Sequence, residues 1–526
     1  MKKKIMAAVL AMSMALAALA GCGSSSGSSE AASDTAAAEA TEAGTEAAAP
    51  AAADASGEAP AHIVLELLTF DAVPRDLEAV EAAINEISIP EANVEIELYP
   101  LGFMEATQQV GLMISSGSQL DLILSPGRSD FLSLVNKNML LELDELLEQY
   151  GQGIIETAPN AIPGGYVDDK LYGIPSIEHY GSTYGLLVRK DVVDATGWDK
   201  FDDVTIEELG EFLAQAKDKT DKHLIHLSGG GNAVNNFDNL YVVDYLGGDI
   251  ACGGIMGIGE GEGDEIVNVF ATDEYAEFCK TMYEWNQAGF FNADAATNTD
   301  SGQASITSGT GAGYFISTQL EMVGGQSAAN GVEMVALNTK GQYLSMNDIA
   351  QATWSIPYTC ENPEAAMKFM NLMWTNTDII NLLYYGIEGL DYRQIDDGTG
   401  RIGYLEGETA QTIGYREWFG WYGNTSARLV WEDAPADLAE QLVAFNNNVS
   451  DANRSKFFGY AFNTDTVKTQ YAAVNDVIST YRTSLECGVV NPDDVLPQFI
   501  KELETAGIND IIAANQAALD AWKAAQ

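Results

Sequence analysis

The densest group of aromatic side chains lies at residues 416–424, which read REWFGWYGN. The pattern fits neither a helical stripe nor strand alternation, and its glycines predict an irregular loop. Flat aromatic faces stack on the C–H faces of sugar rings, while carboxylates, amides and guanidinium groups exchange hydrogen bonds with hydroxyls. Trp421 and Tyr422 are the preferred platforms. Trp418 and Phe419 fit a platform or a core anchor equally well.

Other candidates follow from position, since loops at the carboxyl ends of strands carry ligand contacts in open sheets. The predicted ligand-binding residues are Phe70, Asp71, Arg128, Tyr180, Tyr184, Asn236, Asp238, Trp354, Glu388, Tyr392, Trp421 and Tyr422. They come from loops after the first and third predicted strands, from the flanks of a crossing segment, from a polar loop and from later returns of the chain. For one residue alone, packing or a solvated loop is the commoner role. As a set, they predict a polar site lined with aromatic rings.

Residues that would support catalysis or a metal centre are sparse. Only two of the four histidines, His223 and His226, are close, and a strand would place them on opposite faces, which argues against a zinc pair. Asn298, Asp300 and Gly302 resemble part of a calcium loop but lack its full spacing and terminal glutamate. No P-loop and no G-x-S-x-G motif occurs. The sequence therefore predicts no cofactor, no metal and no catalytic residue.

Alternating strands and helices must position the candidate residues. A nearly continuous apolar run at 62–70 predicts a strand buried on both faces, followed by a helix at 76–87 and an alternating strand at 94–98. Residues 103–116 supply a second helix and residues 120–124 a third strand. This βαβαβ order predicts an α/β fold with a mostly parallel sheet.

Later segments continue the alternation. A capping box at Thr205 and Glu208 predicts a helix start, and residues 272–287 predict another helix. Asn362 followed by Pro363 predicts an N-cap. The tail, residues 493–522, predicts two helices broken at Gly507.

The first residues predict a lipoprotein signal peptide. Three lysines precede an apolar stretch at 5–20 that is too short for a comfortable membrane span and ends in the sequence LAGC at Cys22. Cleavage would leave Cys22 as the new N-terminus, and the alternative is a secretory signal with an incidental cysteine. Residues 23–60 hold no aromatic residue and no Leu, Ile, Val or Met, which predicts a flexible tether.

The composition of the chain argues against some classes of binding partner. The net charge of −51 disfavours nucleic acid and anionic membrane surfaces, which need Lys and Arg contacts with phosphate. The residues after the tether suffice for one large two-lobed protein. Cys252, Cys279, Cys360 and Cys487 are widely spaced without a C-x-x-C motif, which favours buried free thiols over disulfides.

Stretches spread over nearly all of residues 61–526 share one resemblance. They are SSGSQLDLI at 115–123, LLELDELLEQYG at 140–151, YGIP at 172–175, GLLVRKD at 185–191, SIP at 355–357, NPEAA at 362–366, YGIEG at 385–389, AGI at 506–508 and LDAW at 519–522. In this order they resemble the carbohydrate-type (family 1) extracellular solute-binding proteins of ABC importers. The resemblance extends to the Gram-positive lipoproteins that have a long C-terminal extension, and LAGC resembles their lipobox.

The resemblance implies a type II periplasmic-binding-protein-like fold with two lobes, a hinge and a central cleft. The implied first lobe is 61–182 plus about 341–400, and the second is 183–340 plus about 401–526. The implied protein is a monomeric, non-enzymatic receptor, anchored by an acylated, palmitate-bearing Cys22 on the outer face of the cell membrane. It would capture a small polar solute, foremost an oligosaccharide, by hinge closure and deliver it to ABC permease subunits.

Two other functions stay open at this stage. An anchored glycoside hydrolase needs two carboxylates about 5 to 10 Å apart across a sugar site. With 77 acidic residues, the sequence offers many such pairs. A sensor receptor for a sugar or a peptide would use the same fold without an importer.

Overall fold

The computed structural model describes residues 59–526 except 70–72, 179, 231–234, 247–252, 260–261, 319–321, 396–397, 399, 410–411, 418–419 and 433. The predicted signal peptide, Cys22 and the tether therefore lie outside the described residues. The same holds for two predicted ligand residues, Phe70 and Asp71, and for Trp418, Phe419 and Cys252.

Fourteen strands occur among the described residues, and most of them are short. They are β1 (Ala61–Thr69), β2 (Val94–Gly102), β3 (Ile123–Pro126), β4 (Tyr166–Val167), β5 (Lys170–Leu171), β6 (Ile174–Pro175), β7 (Ser182–Arg189), β8 (Val243–Tyr245), β9 (Gly254–Met256), β10 (Gly313–Ser317), β11 (Met334–Tyr343), β12 (Ala352–Ser355), β13 (Arg393–Gln394) and β14 (Ile402–Gly403).

Helices cover these sheets and form most of the C-terminal part. They are α1 (Leu77–Ala92), α2 (Phe103–Ser116), α3 (Arg128–Asn136), α4 (Asp144–Tyr150), α5 (Gln152–Thr157), α6 (Lys190–Thr196), α7 (Ile206–Ala216), α8 (Asp273–Gln287), α9 (Gly302–Thr307), α10 (Met322–Asn330), α11 (Met346–Ile349), α12 (Pro363–Thr375), α13 (Thr377–Tyr385), α14 (Leu438–Asn447), α15 (Lys468–Glu486), α16 (Pro492–Ala506) and α17 (Ile508–Ala525).

The predicted βαβαβ unit is confirmed at the start of the described chain. β1 pairs parallel with β2, and a parallel bridge between Leu65 and Leu122 places the chain entering β3 beside β1. β1 is buried from Ile63 to Thr69 because strands flank it and helices cover it. β12 returns antiparallel between β3 and β6, so the sheet is mixed.

The second sheet is antiparallel, with β7 between β10 and β11. It therefore does not repeat the parallel pairing of the first unit. β7 carries the chain into the second core and β11 carries it back towards the first, so these two strands run in opposite directions.

Two large hydrophobic cores organise residues 61–526. The first gathers side chains from 63–180 and 344–449, and the second gathers them from 186–337 and 457–519. The first core includes Ile402, Tyr415 and Tyr422. The lobe boundaries implied by the sequence assign residues from about 401 onward to the second lobe. The Tyr415 hydroxyl donates to the Leu383 carbonyl at 3.1 Å, which fastens this segment to α13.

The chain passes between the cores along neighbouring segments. Ser182 pairs with Tyr343 in the antiparallel β7–β11 ladder, and Leu344 forms a parallel bridge with Arg454. The Leu344 N–H donates to the Asn453 carbonyl at 2.8 Å. We call residues 182–184, 340–344 and 453–455 the hinge segments. Because the chain connects the two cores only through a few neighbouring segments, one core can rotate relative to the other about them.

Local sequence signals behave largely as expected. The Thr205 capping box is formed, and Gly507 ends α16 in the left-handed region at φ 103. The side chain of Asn362, predicted as an N-cap, makes no capping hydrogen bond. Cys279, Cys360 and Cys487 are buried free thiols, as predicted. Within the described ranges, no helix is both long enough and apolar enough to span a membrane.

Candidate ligand-binding site

Trp421 lies half-buried at the edge of the first core. The centre of its ring lies 6.0 Å from that of Phe103, the first residue of α2, at an interplanar angle of 47°. Its backbone carbonyl accepts hydrogen bonds from Trp354 Nε1 at 2.8 Å and from Ser176 Oγ at 2.5 Å. The backbone is thus fixed by β12 and by the segment after β6, while part of the indole stays at the lobe surface.

A buried carboxyl group lies beside this indole. Glu178 is 4% exposed, and the side chains of Trp421 and Gln351 hydrogen-bond to it. Burial raises the pKa of Glu178 to about 8, against the smaller opposing effects of these hydrogen bonds and of the Arg428 charge. The carboxyl group is therefore largely protonated near neutral pH, so it can donate as well as accept a hydrogen bond.

A second acid and a guanidinium group complete this cluster. Glu417 is 5% exposed, and its charge raises the pKa of Glu178 further. Its Oε2 accepts from the Gly420 N–H at 2.7 Å. The Arg428 guanidinium carbon lies 5.8 Å from the centre of the Tyr384 ring. We call Glu178, Glu417, Trp421 and Arg428 the tryptophan–glutamate cluster. It combines an aromatic surface with the groups that polyhydroxy ligands require.

The loops that carry the cluster are held by specific contacts. Asn446 Nδ2 donates to the Glu178 carbonyl at 2.6 Å, and its Oδ1 accepts from the Tyr180 N–H at 2.6 Å. Gly423 has φ 66, and a Cβ there would lie 2.0 Å from the Met373 carbonyl oxygen. Only glycine therefore fits where the loop turns away from Trp421.

Two aromatic residues predicted to face the ligand are fully buried. Trp354 and Tyr422 are each 0% exposed, and their ring centres are 5.1 Å apart. The Tyr422 hydroxyl accepts from the Leu68 N–H at 2.8 Å and donates to the Glu66 carbonyl at 3.3 Å. The prediction that Trp354 and Tyr422 present faces to a ligand is corrected, because β1 and β12 enclose them. They support the Trp421 loop from behind.

The predicted residues Asn236 and Asp238 lie in a polar network of the second lobe. The Asn236 N–H donates to Glu486 Oε2 at 2.6 Å, and Asn236 Nδ2 donates to the Glu486 carbonyl at 3.2 Å. Asp238 accepts from the Tyr245 hydroxyl at 2.6 Å and from Asn235. Much of the hydrogen-bonding capacity of both predicted residues is therefore used within the protein.

The centre of this network is a buried ion pair. Arg482 Nε and Glu486 Oε1 are 2.6 Å apart, with side chains 7% and 0% exposed. Glu486 also accepts from the Tyr275 hydroxyl at 3.2 Å, and Arg482 donates to Asn235. Multiple hydrogen bonds offset the cost of burying both charges.

Tyr184 reaches the same network through Lys340. Lys340 Nζ lies 4.4 Å from the centre of the Tyr184 ring and 4.9 Å from that of Tyr343, and it donates to the carbonyls of Asp238 and Tyr241. Burial lowers the pKa of Lys340 to about 8. The structure thus brings Tyr184, Asn236 and Asp238 together near the hinge segments.

Two further predicted residues, Arg128 and Tyr180, are buried, and Tyr180 lies beside the tryptophan–glutamate cluster. Arg128 is 7% exposed and donates through Nη2 to the Tyr460 carbonyl at 2.6 Å. Tyr180 is 4% exposed, near Glu178, and its hydroxyl has no hydrogen-bond partner among the described residues.

Glu388 and Tyr392 share a local turn. Glu388 is exposed, whereas Tyr392 is buried against Tyr385, with ring centres 6.4 Å apart.

The geometry expected for the histidines is wrong. His223 Nε2 lies 3.2 Å from His226 Nδ1, so the rings touch rather than face opposite sides. Residues 223–226 make isolated bridges to Gly311 and Phe291 instead of a regular strand, which removes the strict alternation. Burial lowers the pKa of His223 to about 4. Among the described residues, no group of three or more His, Cys, Asp or Glu is placed to hold a metal ion.

Sequence reasoning missed Glu178, Gln351, Arg428 and Asn446. Glu178 follows the YGIP stretch within a mostly apolar segment, and an acid placed between a buried strand and a crossing is a usable signal. Asn446 lies on α14, far along the chain, and no local pattern marks it.

The chain belongs to the bacterial extracellular solute-binding protein family, whose model matches residues 82–386, more than half of the sequence. The family predicted from the sequence is thereby confirmed. Residues 456–524 match a second model, described as a domain of unknown function (DUF3502).

The chain is similar to a carbohydrate ABC transporter substrate-binding protein of Streptococcus pneumoniae, with 24% identity over 84% of this chain and 87% of the relative. Among solved structures, the N-glycan transport solute-binding protein NgtS of S. pneumoniae matches with a TM-score of 0.75 and 19% identity, over 88% of this chain and 99% of NgtS. FusA of S. pneumoniae in complex with kestose gives a TM-score of 0.58 and 15% identity, over 88% of this chain and 100% of FusA. The predicted two-lobed type II solute-binding fold is confirmed.

Proposed function

We propose that this protein is the receptor of an ABC importer and captures an oligosaccharide between its lobes by hinge closure. The observation that carries the proposal is the half-buried Trp421 indole beside the buried Glu178 carboxyl group. An aromatic surface next to a group that both donates and accepts matches a pyranose face edged with hydroxyls. Support also comes from the similar proteins, of which NgtS was solved with Man1GlcNAc and FusA with kestose.

In this proposal, Trp421 and Glu178 hold the sugar from the first lobe, with Glu417, Arg428 and the Tyr180 hydroxyl beside them. The predicted ligand residues Phe70 and Asp71 remain part of the proposal. They follow β1, whose end contacts the Tyr422 hydroxyl at Leu68. Contacts from the second lobe would come from the surface near Tyr184, Asn236 and Asp238. For Glu388 and Tyr392, ligand contact stays a prediction.

The test is a thermal-shift screen of oligosaccharides and peptides on the mature chain. A ligand that binds only the folded form stabilises it by mass action and so raises the melting temperature. At a ligand concentration of a hundred times Kd, the stabilisation is about 2.7 kcal/mol. We expect shifts with oligosaccharides and none with peptides. A shift confined to peptides would contradict the proposal.

A glycosidase is a second candidate because two buried acids, Glu178 and Glu417, interact electrostatically. Glu178 has a raised pKa while the charge of Glu417 acts on it, and glycosidases use such a division between an acid and a carboxylate. The match to a binding-protein family favours capture without cleavage. Prolonged incubation with a bound oligosaccharide separates the two functions, since steady release of reducing ends would establish hydrolysis.

We also propose that the protein is a monomer anchored at the outer face of the cell membrane through an acylated Cys22. The support is the LAGC sequence after an apolar stretch and three lysines. Metabolic labelling with an alkynyl palmitate should mark the wild-type protein, and Cys22→Ser should lose both the label and the membrane fraction. Equal labelling of both would remove Cys22 as the acylation site.

Importer and sensor roles differ in their partners. Purified permease subunits should bind the loaded receptor and transport its sugar in proteoliposomes. Genes for such subunits beside this one would support the importer, and their absence together with a signalling partner would favour a sensor receptor for a sugar or a peptide.

A further inference from the structure

The first residues of the C-terminal segment pass between the two cores. Phe457, Tyr460 and Phe462 pack in the second core, whereas Phe458 and Ala461 pack against the first. We call residues 457–462 the interlobe wedge. A segment shared in this way responds to any change in the angle between the cores.

One charged side chain of the first lobe grips this wedge. Arg128 begins α3, is 7% exposed, and donates from Nη2 to the Tyr460 carbonyl at 2.6 Å. Its Nη1 has no hydrogen-bond partner among the described residues. The Tyr460 hydroxyl donates in turn to Asn515 Oδ1 at 2.5 Å, which ties the wedge to α17 of the second core. Hydrogen bonds from a buried charged group are stronger than neutral ones.

The charge of a buried acid of the second lobe acts on the same arginine. Asp244 on β8 is 2% exposed, and its side chain is hydrogen-bonded to Ser455 of a hinge segment. Burial raises the pKa of Asp244 to about 6, with a smaller contribution from Asp348, while the charges of Arg128 and Lys456 oppose this effect. The arginine contact therefore lies close to the hinge.

A cavity lies next to this contact. The outer face of α3 and residues 462–471 line a cavity of about 320 Å³, with Leu132 and Phe462 among its apolar walls and Ser133 and Lys468 among its polar ones. The wedge is thus a local point of contact bordered by space between α3 and the C-terminal segment. Such space leaves room for the lobes to turn about the contact.

We propose that Arg128 and the interlobe wedge form a clasp that sets the resting angle between the lobes. The clasp gives a role to the C-terminal segment matched by the domain of unknown function, and it rests on the proposed capture by lobe closure. Arg128 is then a positioning residue that does not touch the solute. Loss of the clasp lowers the fraction of molecules ready to close, which weakens the binding of every solute by the same factor.

The experiment measures lobe separation and affinity on the full mature chain. Dyes are attached through unnatural amino acids at the exposed positions Glu148 on α4 and Glu211 on α7, and energy transfer is recorded without sugar. Arg128→Met should broaden the distance distribution and shift it to longer distances. Its affinities for a short and a long oligosaccharide should fall by an equal factor of roughly ten, which corresponds to about 1.4 kcal/mol. Arg128→Lys, which keeps the charge, should recover part of both effects.

Phe458→Ala provides a second variant that acts from the wedge itself. It removes a contact with the first core without touching Arg128, and it should broaden the distances in the same way. Unchanged distances in both variants would overturn the clasp. Loss of affinity for some sugars only, at an unchanged distance distribution, would instead make Arg128 a ligand contact. The distance measurement needs no sugar, so the clasp can fail or hold independently of the oligosaccharide proposal.

Discussion

Both lobes bury glutamates, and Glu178 of the first lobe differs from Glu486 of the second in its charge partners. Glu486 in the second lobe is paired with Arg482 at 2.6 Å and accepts further hydrogen bonds from Asn236 and Tyr275. Glu178 in the first lobe has no ion pair within 4 Å among the described residues, and burial raises its pKa to about 8. A buried acid that is paired with a cation serves the fold, whereas a buried acid with a raised pKa and no ion pair is a candidate for ligand contact.

The strongest test of this comparison is Glu486→Gln. It leaves Arg482 buried without its counter-charge, so the free energy of unfolding should fall by about 3–5 kcal/mol. The measurement is urea denaturation at neutral pH. Glu504→Gln on α16, an exposed position of the same lobe, is the matched control and should change little. At a temperature where the variant is folded, sugar affinity should be unchanged. A stable Glu486→Gln protein would remove the structural role of the pair.

Trp421→Ala is next in expected size, and it acts on binding instead of folding. Loss of a central aromatic contact should cost about 2–4 kcal/mol of binding free energy, measured by titration calorimetry. The melting temperature without sugar should stay nearly the same, because the indole is only half-buried. Trp285→Ala in the second lobe, where the indole is 6% exposed, should show the reverse, with a lower melting temperature and intact affinity. Undiminished affinity in Trp421→Ala would remove this residue from the site.

Glu178→Gln sharpens the comparison through pH. The folded-state pKa of Glu178, about 8, lies above its ordinary value of 4.5. The folded chain therefore binds more protons between these values, and stability falls as pH rises through this window, by up to about 1.4 kcal/mol per pH unit. Glutamine removes this contribution, so unfolding measured from pH 5 to pH 8 should show a flatter profile. Part of the slope should persist, since burial also raises the pKa of Glu66 to about 8. An identical slope in both proteins would contradict the buried, protonated state.

Thr205→Ala gives the smallest effect and a baseline far from both acids. Thr205 Oγ1 accepts from the Glu208 N–H at 3.2 Å, and Glu208 accepts from the Thr205 N–H at 2.9 Å. Loss of this cap should cost about 1 kcal/mol of unfolding free energy at all pH values, with no change in affinity. Thr205→Ser should restore most of the loss. A change in sugar affinity would mean that α7 is coupled to the ligand-binding site.

Local patterns predicted the βαβαβ unit because its signals are self-contained. α2 has the predicted bounds because Gly117 ends it in the left-handed region. α1 continues past the predicted end at residue 87 to Ala92. It includes Pro90, and the backbone there follows the helix although proline usually disfavours it.

The site was predicted less well because it depends on contacts between distant segments. Tyr422 was a reasonable platform beside Trp421, and its burial follows from a hydrogen bond to Leu68, more than 350 residues earlier. The pKa of Glu178 is raised by burial, which arises only when distant segments, including those of Gln351 and Trp421, pack around it. Adjacent residues of one loop can therefore have opposite roles, and no local pattern distinguishes them.

The interleaved path of the chain has a consequence for secretion. Neither core can be completed from one continuous stretch, because the first needs side chains up to Val449 and the second needs them up to Leu519. In the export that the proposed signal peptide implies, a chain emerging N-terminus first would hold β1, α1 and β2 outside the cell long before β12 arrives to complete their sheet. Its exposed apolar strands are then a substrate for extracytoplasmic chaperones, and exchange of one lobe between relatives would require several simultaneous splices instead of one.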